Sequence, residues 1–254
     1  MIAVVKTKDY EELSSLATDI IAAVVRKNPN AVLGLATGST ALGLYDGLAH
    51  RYARGELSFK NIKTVNLDEY VGLGQGDINS YVTYMRRNLF DRIDINTENT
   101  FLPDGKRADI DGAVRDYRAL LSSMPRDIQV LGLGENGHIG FNEPNTPFDS
   151  LTHVVELAPS TIAANSRLFE SEDLVPRRAI TMGIREIVDA KRIILLASGA
   201  KKANAVRDAL LGEVSPSCPA SVLRTHSDIV FIVDEAAAFA LPGDYRFTEK
   251  YVLL

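Results

Sequence analysis

Residues 128–144 read IQVLGLGENGHIGFNEP. The first six, IQVLGL, form an apolar run too short for a helix and nearly unbroken in hydrophobic character. That is how a strand buried on both faces of a parallel sheet reads. The remaining residues form a glycine-punctuated loop carrying Asn136, His138 and Glu143. The same unit, a short apolar run with a polar tail, recurs along the chain. Residues 31–36 (AVLGLA) lead into Thr37-Gly38-Ser39-Thr40, and 62–67 (IKTVNL) into Asp68-Glu69-Tyr70. Residues 192–197 (RIILLA) lead into Ser198-Gly199-Ala200-Lys201-Lys202. Residues 229–233 (IVFIV) are a fifth run, and 179–182 a weaker candidate.

Between the runs lie amphipathic stretches. Residues 10–25 place Leu13, Leu16, Ile20, Ile21 and Val24 three to four apart, on one helical face. Residues 40–53, 79–90, 109–122, 160–169 and 201–211 are further helix candidates. Alternation of strand and helix predicts βαβ units. The expected fold is an α/β, open, mostly parallel, doubly wound (Rossmann-like) sheet with helices on both faces. No repeat or linker breaks the pattern, so residues 1–254 read as one domain.

Composition narrows the function classes. The chain has 254 residues, 46% hydrophobic and 24% charged, the mix of an ordinary folded protein. Its 28 Lys and Arg against 33 Asp and Glu give a net charge of −5. A weakly acidic chain argues against general binding of nucleic acid or anionic membrane, which needs a basic surface. No stretch approaches the roughly 18 apolar residues of a membrane span. The opening MIAVVKTKDYEELSS turns charged after a short apolar run, so no signal peptide is expected. The single cysteine, Cys218, allows no intrachain disulfide and no cysteine-rich zinc site, which fits a cytoplasmic protein.

In open parallel sheets, ligands bind beyond the carboxyl ends of the strands. Four of the predicted strand ends carry phosphate-binding, acid–base or cationic groups. At Thr37–Thr40 glycine lets the backbone approach a ligand, and the following helix offers free N–H groups to an anion. The plainer reading is a tight turn with Ser39 or Thr40 as helix cap. The loop lacks the spacing of a P-loop and of G-x-G-x-x-G. Asp68 and Glu69 would ordinarily cap a helix or face water. Here a glycine-rich run comes next, so an acid on a flexible loop is a candidate general base. A histidine between glycines, five residues before Glu143, can carry protons near neutral pH, with the carboxylate fixing its tautomer. The spacing H-x-x-x-x-E also admits metal binding, though no further His or Cys stands near. Arg167 and Lys202 suit phosphate contact, although most such cations merely solvate a surface.

The segments LGLATGST, VNLDEYVGL, GLGENGHIGFNEP and ANSRLF occur in order over most of the chain. Together they resemble the glucosamine-6-phosphate deaminase family. DEYVGL with GHIGFNEP also separates the chain from the 6-phosphogluconolactonases, which share the fold. The resemblance implies conversion of glucosamine 6-phosphate and water into fructose 6-phosphate and ammonia, with no metal or redox cofactor. It implies that Asp68 is the enolisation base. His138, with Glu143 and Asn136, would open the sugar ring. Gly38, Ser39, Thr40, Arg167 and Lys202 would hold the phosphate, with Lys201 adjacent to the last. A lid around residues 144–185 is expected. The oligomeric state in such enzymes ranges from monomer to hexamer, so a homo-oligomer is open.

Two departures stand out. Many relatives carry Asp where this chain has Asn136, which can orient His138 but lends it no charge. Allosteric relatives carry basic residues after the NEP motif, where this chain has His153 and Val155, so that mode of regulation is not expected. Two rival readings remain. One is a galactosamine-6-phosphate deaminase/isomerase, differing at one hydroxyl epimer. The other is a non-catalytic sugar-phosphate-sensing domain, which would not need Asp68, His138 and Glu143 together.

Overall fold

The computed structural model describes residues 2–166, 169 and 171–249. In chain order the elements begin β1 (Ile2–Thr7), α1 (Tyr10–Lys27), β2 (Val32–Leu35), α2 (Leu42–Ala53), β3 (Lys63–Asn66), β4 (Asp68–Tyr70) and α3 (Tyr81–Asn88). They continue with β5 (Thr100–Phe101), α4 (Ile110–Ser123), β6 (Ile128–Gly132), β7 (His153–Glu156), α5 (Pro159–Asn165) and β8 (Arg178–Thr181). They end with α6 (Ile184–Val188), β9 (Ile193–Ala197), α7 (Ala203–Leu211) and β10 (Ile229–Asp234).

Seven strands make one sheet in the order β1-β10-β9-β6-β2-β3-β5, and every pairing in it is parallel. The five predicted runs are its five central strands. Side chains alternate across it. Ile194 and Leu196 of β9 join the cluster under α1, α2 and α3, with Leu13, Leu44 and Met85. Ile193 and Leu195 join the opposite cluster, with Tyr117 of α4 and Val206 of α7. Each such fully buried Leu or Ile contributes roughly 1.5–3 kcal/mol. Both faces are thus covered, as a doubly wound sheet requires.

The strands leave in two directions from the middle of the sheet. β2, β3 and β5 step one way, while β6, β9, β10 and β1 step the other. The reversal lies between the neighbours β2 and β6, the place where such sheets open a crevice. Close helix packing fixes the entrance. A Cβ on Gly43 of α2 would lie 2.3 Å from Ser14 Oγ, and one on Gly47 would lie 2.3 Å from Thr18 Oγ1. These glycines let α2 seat against α1 and so place the loop before α2.

Part of the fold departs from the expectation. A second, three-stranded antiparallel sheet has the order β4-β8-β7. The weak candidate at 179–182 is β8 in this sheet. The acidic tail after β3 is not a flexible loop: Asp68–Tyr70 is strand β4, all three residues buried, with Asp68 opposite Thr181. Helices α2, α3 and α7 each start two residues later than predicted. Short 3-10 turns, Ser39–Ala41 and Ala200–Lys202, precede α2 and α7.

Candidate active site

A cavity of about 830 Å³ opens at the switch point, lined by Gly38, Ser39, Asp68, Asn136, His138 and Lys202 among others. Its floor is the carboxyl ends of β2, β6 and β9.

The cradle on one side is built twice in the same way. After β2, Gly38 takes φ +106°, a conformation that side chains disfavour, and a 3-10 turn leads into α2. After β9, Gly199 takes φ +91° before a 3-10 turn and α7. Both turns aim helix starts, with their free N–H groups, at the cavity. The second loop is pinned by Asp234 at the end of β10, which accepts the Gly199 N–H at 3.0 Å. Thr37, Ser39 and Thr40 line the cavity as well. Both lysines reach it, Lys201 exposed and Lys202 half-buried. Burial lowers the Lys202 pKa, against the pull of Glu135 and with the push of Lys201. Lys202 is the better-embedded cation.

Asp68 enters from β4 and is only 6% exposed. Burial, with the neighbouring charge of Glu69, pushes its carboxyl up to about 8. Gly140, at φ +59°, lies beside it: a Cβ there would be 3.6 Å from Asp68 Oδ2 and would crowd Thr181 Oγ1 at 3.0 Å. Glu69, alternating to the other face of the strand, points away into α3. It accepts the N–H groups of Tyr81 and Val82 at 2.9 and 3.0 Å. This half of the acid pair is a helix cap, as the plainer reading of an Asp-Glu pair has it.

The loop after β6 carries the imidazole. Gly137, at φ +85°, turns the chain, and Gly134 N–H donates to the His138 carbonyl at 2.9 Å. Asn136 bridges two neighbours: its Oδ1 accepts the His138 N–H at 3.2 Å, and its Nδ2 donates to Glu143 Oε2 at 2.7 Å. His138 Nδ1 lies 3.5 Å from that same carboxylate oxygen, an ion-pair distance longer than a good hydrogen bond. Burial pushes the Glu143 carboxyl up, but contacts from His138, Thr161 and Asn136 outweigh it and hold it at about 2. Glu143 is therefore a fixed negative charge behind the ring.

The cavity gathers Gly38, Ser39, Thr40, Asp68, Asn136, His138 and Lys202, with Glu143 behind His138. Arg167 lies outside the described residues. His153 and His226 are used elsewhere, with a ring nitrogen against the Leu151 and Ala190 carbonyls respectively. Among the described residues, no group of three or more His, Cys, Asp or Glu is placed to hold a metal ion. Sequence reasoning missed Thr161 of α5, whose Oγ1 donates to Glu143 Oε1 at 2.7 Å, and Tyr81 of α3, which lines the cavity. A hydroxyl in a helical stretch gives no signal of either role.

Known proteins are similar to this chain in sequence and fold. Residues 7–231 match the family described as glucosamine-6-phosphate isomerases/6-phosphogluconolactonase. A glucosamine-6-phosphate deaminase of Bacillus velezensis is 50% identical over 236 residues, 92% of this chain and 98% of that protein. The structure of a monomeric glucosamine-6-phosphate deaminase superposes with a TM-score of 0.92 at 48% identity, over 94% of this chain and 99% of that one. The 6-phosphogluconolactonase of Trypanosoma brucei superposes with a TM-score of 0.75 at 20% identity, over 95% and 99%, and shares the fold. Among the described residues no helix is long and apolar enough to cross a membrane. On sequence and on fold, the chain belongs to the glucosamine-6-phosphate isomerase/6-phosphogluconolactonase family.

Proposed function

We propose that this chain isomerises and deaminates glucosamine 6-phosphate, giving fructose 6-phosphate and ammonia in amino sugar catabolism. The observation that carries the reading is one cavity lined by Asp68, by His138 with Glu143 behind it, and by an anion cradle. The names of the deaminase relatives support the same substrate.

The phosphate would sit on the Gly38–Thr40 turn with Lys202, and Arg167 is assigned beside it from the motif. Binding this remote group holds the sugar in register for the chemistry. His138 carries the proton from the anomeric hydroxyl to the ring oxygen, and the ring opens to an aldehyde. Glu143 and Asn136 hold the imidazole for that step. Asp68 then takes the proton from C2 and delivers it to C1, while the aldehyde oxygen takes a proton from the C2 ammonium and becomes the C1 hydroxyl, leaving an iminium at C2. Water adds to that carbon, ammonia leaves, and the ketone remains. The Asp68 carboxylate also offsets the positive charge that develops beside it. Every step moves only protons, water and ammonia, with no net oxidation or reduction, so the scheme calls for no redox cofactor. Consumption of water in the last step makes the reaction hydrolytic. Free Cys218 accords with work in the cytoplasm. The lid role of residues 144–185 rests on Thr161, which lines the cavity, while β7 and β8 anchor this segment in the second sheet.

Ammonia release from glucosamine 6-phosphate tests the reading. Wild type should release it. Asp68→Asn and His138→Gln should each lose about 10²–10⁴-fold in turnover, the usual worth of one general acid–base group. Inorganic phosphate should still compete at Asp68→Asn. His138→Gln should hurt the closed sugar more than an open-chain substrate. No ammonia from wild type would end the proposal, and a higher kcat/KM on galactosamine 6-phosphate would redirect it to the epimer.

A further inference from the structure

We propose that helix α3 is a strut that sets the anion cradle against the Asp68 carboxylate, with Glu69 and Tyr84 as its two fastenings. The strut rests on the proposed substrate and adds positioning residues to its site.

The first fastening is Glu69. It comes directly after Asp68 in β4 and is 1% exposed. Its carboxylate accepts the N–H groups of Tyr81 and Val82, the first two residues of α3, and of Tyr70. Helix starts leave such N–H groups unpaired, and a carboxylate there also meets the positive end of the helix dipole. The strand bearing Asp68 and the start of α3 are thus one rigid joint. Burial pushes the Glu69 carboxyl up to about 7, against those three backbone donors.

The second fastening is one turn further along. Tyr84 Oη donates to the Gly38 carbonyl at 2.8 Å. Gly38 is the residue whose positive φ makes the cradle. A hydroxyl on its carbonyl holds that peptide with the oxygen turned toward α3. The next carbonyl is held too: Tyr10 Oη donates to Ser39 O at 3.0 Å and accepts the Gly43 N–H at 2.8 Å. With both carbonyls held, and the Ala41 N–H closing the turn on the Gly38 carbonyl, the amides of Ser39 and Thr40 are left for an anion. Tyr81, at the first fastening, lines the cavity and packs among Tyr70 and Phe141. The helix therefore links a group that moves a proton to the group that holds the phosphate, although neither Glu69 nor Tyr84 is among the cavity-lining residues.

The test uses the full chain with inorganic phosphate as calorimetric probe, alongside kcat and KM for glucosamine 6-phosphate. Tyr84→Phe should weaken phosphate binding and raise KM by about three- to tenfold, one neutral hydrogen bond, with kcat little changed. Tyr10→Phe should act in the same direction. Glu69→Gln should lower kcat and also weaken phosphate binding, although Glu69 does not touch the cradle. That cross-effect marks a strut and not a local cap. In the double variant Glu69→Gln/Tyr84→Phe, the loss of phosphate affinity should fall short of the product of the two single losses. Phosphate affinity at the wild-type level in Tyr84→Phe would overturn the proposal, as would a Glu69→Gln defect confined to kcat. If Glu69→Gln does not fold, Tyr84→Phe decides alone. Phosphate binding is read without turnover, so a failure of the substrate assignment is seen separately, as wild type that binds phosphate and releases no ammonia.

Discussion

Thr161 Oγ1 donates a 2.7 Å hydrogen bond to Glu143 Oε1, joining α5 to the carboxylate that stands behind His138. Losing this donor should let the Glu143 pKa rise from about 2 and loosen the orientation of the ring. Thr161→Val is expected to lower kcat by about three- to tenfold, with Thr161→Ser restoring it. Stability tracks the same group. A carboxyl held below its ordinary 4.5 stabilises the fold above that pH, and this is lost as pH falls toward about 2. The Tm gap between wild type and Thr161→Val should therefore narrow on acidification. A gap that is constant with pH would mean that Thr161 supports packing alone.

Asp68 predicts the opposite slope. Its carboxyl is raised from 3.8 to about 8, so the folded chain holds that proton more tightly than the unfolded one. Stability from this group is present below about pH 4 and is lost as pH rises through about 8. Asn at 68 has no such proton to lose. Asp68→Asn should be inactive yet gain in Tm relative to wild type as pH climbs from about 5 to about 8. Activity in wild type should rise over the same range, because a base works only when deprotonated. Parallel Tm curves for the two proteins would show that Asp68 does not titrate there.

Asn136 touches both partners of the proton carrier, donating to Glu143 and accepting from the His138 N–H. Asn136→Asp would keep the acceptor and set a second carboxylate beside Glu143. Like charges at that distance raise a carboxyl pKa, and the added negative charge favours protonated His138. The pH optimum should move to higher pH while turnover at the optimum survives. A profile superimposable on wild type would leave Asn136 with only its backbone contact.

Local chemistry announces only part of this fold. The strands β2, β3, β6, β9 and β10 were legible because burial on both faces leaves an unbroken apolar run, as in β10, where all six residues are buried. β1 was not, since it lies at the sheet edge and runs into Lys6 and Thr7, with two of its six residues exposed. β4 could not be read from periodicity: two of its three residues are acids, and its partner β8 is more than a hundred residues away. Burying two acids opposes folding; three backbone donors offset the cost at Glu69, and Asp68 faces the cavity. His138 and Glu143 were legible as a pair because only four residues of loop separate them. Thr161, Glu69 and Tyr84 act through contacts that only the tertiary fold creates, so no spacing announces them.

Gly134 offers a test of His138 that leaves the imidazole in place. A Cβ on Gly134 would lie 2.4 Å from three atoms of the His138 ring, so alanine there must push the ring from its seat. The backbone at this position does not need positive φ, and the ring can swing into the cavity, so the fold should survive. What is lost is the approach of Nδ1 to Glu143. Gly134→Ala should then resemble His138→Gln: a loss of about 10²-fold in kcat on the closed sugar, a smaller loss on an open-chain substrate, and phosphate affinity near wild type. Gly243→Ala, where an added Cβ meets nothing within 4 Å, serves as the control for backbone stiffening. Full activity in Gly134→Ala would show that the ring need not sit against Glu143, and the positioning role of that carboxylate would have to be given up.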